Sequence, residues 1–326
     1  MKSALSEAEA MPANMATKEM RSDKVHARSF GLCAVGFLLI SGIISVRHVP
    51  LRPFGLILLA WAVNRLISRG SFKGNVRNWF IIIALLDALH YLSYQLARIP
   101  LLHFLSNLKL DNVYADELIP WAAPLLSGFT HLVITAIMYV VFWKFWEMVS
   151  RFGEQTDEIV LERGALSAGA SMIILFVYEV FSSSLYPMSR PVGILWAHYK
   201  TSLFAGEPLP AGVLRIAAPC IGAAFIFVAA GFTFSILLYS ILCRFLLMAT
   251  EVCGSTFERT ALLLRKVLVL YVIIFCALTI LWPLYLTSIR WSWGLRISAL
   301  PVYVFVISLL LYARRICLRE GGELGN

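Results

Sequence analysis

Asp87, His90, His131 and Glu179 are ionisable side chains set deep inside long apolar stretches of this sequence. Placing such groups in hydrocarbon is costly, so each is a candidate for function. Asp87 and His90 are three residues apart and share a helix face. Two carboxylates and two imidazoles in one layer have the chemistry of a proton relay or a cation site, because burial strengthens a carboxyl's hold on its proton and histidine can exchange it. The same set could ligate a transition metal such as zinc, or the four groups could satisfy one another as polar links between helices. Tyr91, Tyr94, Thr130, Thr135 and Tyr178 add hydroxyls to the same stretches.

Positioning these groups requires membrane-spanning helices. Of the 326 residues, 60% are hydrophobic and only 14% charged, against roughly a quarter charged in a soluble domain. A helix needs about 20 apolar residues to cross the hydrocarbon core. The sequence predicts an all-α polytopic bundle of about eight spans: Ser29–Val46, Leu51–Ser68, Trp79–Leu96, Trp121–Trp143, Ala165–Tyr186, Ile216–Leu242, Val267–Leu286 and Ile297–Ala313. The second is the weakest, because Asn64 and Arg65 interrupt it. On this division 1–28 is an N-terminal tail, 29–313 the membrane domain and 314–326 a C-terminal tail. At ~1.5 Å per residue from the inner span ends, Asp87 lies ~12 Å deep, His90 ~17 Å, His131 ~18 Å and Glu179 ~21 Å. All four fall within the middle of a core ~30 Å thick.

Lysine and arginine set orientation. With the N-terminus in the cytoplasm, 19 of the 28 bases fall on the inner side, with at least three in every inner segment. Both termini are then cytoplasmic. The net charge of +9 is scattered between apolar runs, which points away from nucleic acid and toward anionic lipid headgroups. Pro50, Pro53, Pro100, Pro120, Pro187, Pro191, Pro208 and Pro210 collect on the outer side, so irregular connections are expected there. The inner stretches Phe145–Gly164 and Phe245–Lys266 lack proline and can continue the helices. Trp79, Trp121, Trp143, Trp146, Trp282, Trp291 and Trp293 stand near span ends, where indole prefers the interface. The outer segments Leu101–Leu110 and Gly193–Gly206 have the pattern of interfacial helices.

Tyr139–Met148 and Tyr239–Met248 are alike at a spacing of 100 residues, a faint parallel repeat of the kind some transporters use. Small residues in Ala165–Ser171 and Gly222–Gly231 mark close helix packing. The six cysteines, Cys33, Cys220, Cys243, Cys253, Cys276 and Cys317, form no metal-ligand spacing. Cys243, Cys253 and Cys317 follow inner span ends and should be reachable from the cytoplasm.

No zinc-protease, P-loop or nucleophile-elbow motif is present. The reading that follows is a membrane transporter or channel with a midplane site for protons or cations. The alternatives are a non-catalytic subunit or scaffold of a membrane complex, alone or as a homo-oligomer, and an intramembrane enzyme. The setting is a plasma membrane or bacterial inner membrane. The sequence names no cofactor.

Overall fold

The computed structural model describes residues 24–41, 51–68, 75–107, 112–189, 211–284 and 292–320. Among these, eight helices and no strands occur: α1 (24–40), α2 (Arg52–Ser68), α3 (Val76–Asn107), α4 (Asn112–Gln155), α5 (Ile159–Ser189), α6 (Ala211–Cys253), α7 (Ser255–Leu284) and α8 (Ser292–Glu320). The all-helical class follows from the medium. A bilayer offers no partners to open backbone groups, and a helix satisfies its own. Five helices are long and apolar enough to cross a membrane, through Leu132–Gln155, Ile159–Ser183, Pro219–Cys253, Phe257–Pro283 and Gly294–Arg319. They correspond to the fourth to eighth spans read from the sequence.

The chain divides into two compact units, Met1–Asp157 with Tyr303–Asn326, and Glu158–Val302. In the first, α2 packs on α3 and α3 on α4. α1 crosses α2 at Gly36 and Gly55, whose backbones meet without intervening side chains. Phe37 of α1 lies 5.2 Å from Phe142, 5.6 Å from Phe145 and 5.8 Å from Trp146 of α4. Phe80 of α3 joins the same rings. Trp146 is therefore a core residue and no interfacial anchor, while Trp79 and Trp143 remain exposed. The cause is periodicity: Phe142, Phe145, Trp146 and Val149 recur at helical spacing on one buried face.

In the second unit, α5 packs on α6 and α6 on α7. Ala165, Ala168 and Ser171 lie on the buried stripe of α5, with Leu175 and Tyr178 continuing it. Thr279 of α7 lies over Gly231 of α6, whereas Gly222 faces open space. Within Gly222–Gly231, Ala223 and Ala224 are also buried, and of the two glycines only Gly222 stands clear of its neighbours. Tyr271 of α7 donates a 3.3 Å hydrogen bond to the carbonyl of Ser298 on α8.

The proline-free inner stretches are helical almost throughout. α4 turns into α5 through residues 156–158, with Asp157 at φ 54°, and α6 into α7 through Gly254 at φ 71°. Both repeat segments, Tyr139–Met148 and Tyr239–Met248, precede these turns on helices of 44 and 43 residues.

The stretches read from the sequence as outer depart from expectation. Pro100, Pro120 and Pro187 lie within α3, α4 and α5, because helices in a membrane protein can re-satisfy the backbone group that proline frees. Pro53 sits in the first turn of α2, where no bond is lost. Leu101 to Asn107 continue α3 and form no separate interfacial helix. Gly193–Gly206, Pro50, Pro191, Pro208 and Pro210 lie outside the described residues.

Candidate functional site

On α3 the buried stripe runs Val76, Phe80, Ile83, Ala84, Asp87. Asp87 is the one acidic residue on that stripe among the described residues, and Leu85, Leu89 and Leu92 on the same helix are exposed. Its carboxylate accepts a charge-assisted bond from Arg52 of α2, Nη2 to Oδ1 at 3.0 Å. The same Nη2 donates to Thr135 Oγ1 of α4 at 3.5 Å. One guanidinium thus links three helices. Both partners are largely removed from solvent, the Asp87 side chain being 11% exposed and that of Arg52 21%. Arg52 Nε is buried with no hydrogen-bond partner among the described residues.

The register that makes this pair is set at the other end of the α2–α3 hairpin. Arg77 Nη1 donates to Asn64 Oδ1 at 2.8 Å. From that rung, twelve residues back along α2 is Arg52 and ten forward along α3 is Asp87. At ~1.5 Å per residue these are rises of ~18 and ~15 Å, so the two charges arrive at nearly one level. Arg65 is satisfied differently, its guanidinium lying 3.9 Å above the Trp61 ring. Asn64 and Arg65 therefore do not break α2, which continues to Ser68.

His90 and Tyr91 follow Asp87 by one turn on α3 and are half-buried. His131 lies on α4, four residues before Thr135; its side chain is outside the described residues. Glu179 belongs to the second unit, half-buried on α5 beside Tyr178. The Tyr178 ring stacks on Phe234 at 4.4 Å and meets Phe275 edge-on at 5.8 Å. Its hydroxyl is buried on the side of Thr279. Asp87, His90 and His131 thus belong to one unit and Glu179 to the other.

Arg52 is the member that sequence reasoning missed, being counted with the outer bases. The available signal was the shortness of the second apolar run, which brings its first base down to the depth of Asp87. Among the described residues no three His, Cys, Asp or Glu side chains gather to hold a metal ion. No disulfide joins the six cysteines. Cys253 is exposed, but Cys243 and Cys317 are buried, so only one of the three inner-end thiols is open to solvent.

No protein-family model, curated protein or solved structure gives a significant match to this chain. Chemically, the Arg52–Asp87–Thr135 node is a neutralised carboxylate whose counter-charge is part of the protein.

Proposed function

We propose that this is a multi-pass transporter or channel of a cell membrane that moves protons or cations, with Asp87, His90 and His131 of the first unit as its polar site. Arg52 is the internal counter-charge against which Asp87 exchanges its cargo. The single observation that carries this reading is the 3.0 Å Arg52–Asp87 pair, largely buried and flanked on α3 by exposed leucines. Ionisable groups within membrane helices face interiors or water-filled paths and mark ion routes.

The topology proposed with it has eight spans and cytoplasmic termini. Three helices beyond the five that are long and apolar enough to cross a membrane complete it: α1, α2 and α3. Phe54, Ile57 and Trp61 form an exposed apolar stripe on α2, and Ile81, Ile82, Leu85 and Leu89 one on α3. Such stripes suit contact with acyl chains.

The test is flux in proteoliposomes of the full chain, with an entrapped pH dye and imposed proton, sodium or potassium gradients. Wild-type protein carries at least one of these ions, and Asp87→Asn, purified as a monodisperse protein, loses that flux at least tenfold. Wild-type vesicles that pass none of the ions, or an Asp87→Asn variant of undiminished flux, overturn the reading. The node is then a structural pin in a membrane-complex subunit.

A further inference from the structure

The inner end of the first unit gathers bases from helices far apart in sequence. α1 packs on the end of α4, where His26 and Phe30 meet Phe152 with ring centroids 6.0 and 5.3 Å apart. On its other flank α1 meets α8. A Cβ built on Gly31 would lie 3.5 Å from Arg314 Cδ and 3.8 Å from Nη1. The Arg314 stem therefore lies across the bare backbone of α1. Arg28 is three residues before Gly31, on the same side of that helix. Arg28, Arg314, Arg315 and Arg319 are all exposed.

Two features distinguish this flank from an ordinary solvated helix end. First, Arg314 lies against Gly31, one turn from Arg28 on α1. None of the four arginines has an ion pair among the described residues. Second, each helix changes character within about two turns. On α1 the exposed stripe passes from Arg28 across Gly31 to Val35, which is 46% exposed. On α8 it passes from Arg315 to Leu311 and Val304, 42% and 53% exposed. Both stripes run from basic to apolar away from the helix ends, as the boundary between headgroups and acyl chains does.

We propose that the α1–α8 flank binds an anionic phospholipid, its phosphate held by Arg28 and Arg314 with Arg315 beside them, and its acyl chains against Val35, Leu311 and Val304. Arginine suits this role because its planar fork engages phosphate oxygens in pairs. The phosphate screens the repulsion between the two guanidinium groups, and Gly31 leaves the space in which Arg314 can lie flat. The inference needs a bilayer around the chain and is independent of what the protein transports.

The experiment is native mass spectrometry of the full-length protein in detergent, titrated with phosphatidylglycerol, with phosphatidylcholine of the same chains, or with inorganic phosphate. Wild-type protein retains phosphatidylglycerol about tenfold more than phosphatidylcholine. Arg28→Gln/Arg314→Gln loses that preference, and Arg259→Gln, an exposed base in the other unit, keeps it. Arg28→Gln alone, at an exposed position, reduces the preference and covers a failure of the double variant to fold. Equal retention of both lipids, an undiminished preference in Arg28→Gln, or equal loss in Arg259→Gln overturns the site. Retention of inorganic phosphate without lipid preference overturns the assignment to a lipid.

Discussion

A methyl group placed on Gly55 would lie 2.6 Å from the carbonyl oxygen of Gly36 and 2.7 Å from a side-chain carbon of Ile40. The backbone oxygen cannot rotate away, so α1 and α2 would have to separate. Gly55→Ala should destabilise the protein by about 1–3 kcal/mol through overpacking. Gly222→Ala, where nothing lies within 4 Å, serves as the control and should cost nothing by that mechanism. Thermal unfolding of both variants in one detergent makes the comparison. Equal midpoints would show that α1 and α2 adapt to the methyl.

The Arg52–Asp87 pair has a thermodynamic signature separate from any flux. Removing one partner of a largely buried pair leaves the other uncompensated and costs on the order of 3–5 kcal/mol. Arg52→Ala and Asp87→Ala should each lower stability on that scale. The double variant should lose less than the two losses combined, with a coupling of about 1–3 kcal/mol. Additive losses in a double-mutant cycle would mean that the pair contributes no coupling.

Thiol labelling tests burial and sidedness together. Cys253 lies beside the α6–α7 turn and is exposed, whereas Cys33, Cys243 and Cys317 are buried. An impermeant maleimide should leave Cys253 unmodified in intact cells and label it fastest in opened membranes. Cys33 should label only after denaturation. Rapid labelling of Cys253 in intact cells would place the α6–α7 turn outside the cell and reverse the proposed orientation.

The helical architecture was legible because long apolar runs have few outcomes in a bilayer. Ala165–Tyr186 falls wholly within α5, and Val267–Leu286 falls within α7 as far as Leu284. What depended on tertiary pairing was harder to read. Arg52 stands at the edge of its apolar run and looks like a loop base until the Asn64–Arg77 rung aligns α2 with α3. Trp146 resembles an interfacial tryptophan until Phe37 and Phe145 are seen around it. Cys243 and Cys317 follow span ends, but a helix end need not be a solvent-facing one, and the buried face of α8 carries Cys317 out of reach. Proline gave the opposite error at 100, 120 and 187, because its effect on a helix depends on neighbours absent from the local sequence.

The length of α4 has a mechanical consequence. Its 44 residues make a rod of ~66 Å, more than twice the hydrocarbon thickness of ~30 Å. Thr135 lies near its middle, and the segment bearing Lys144, Glu147 and Arg151 forms one arm. A rod held near its centre is a lever. Any tilt that rearrangement of the Arg52–Thr135 bond imparts at the fulcrum becomes a larger lateral sweep at the tips. A displacement too small to resolve inside the bilayer can therefore be read with spectroscopic labels at the surface, far from the atoms that caused it.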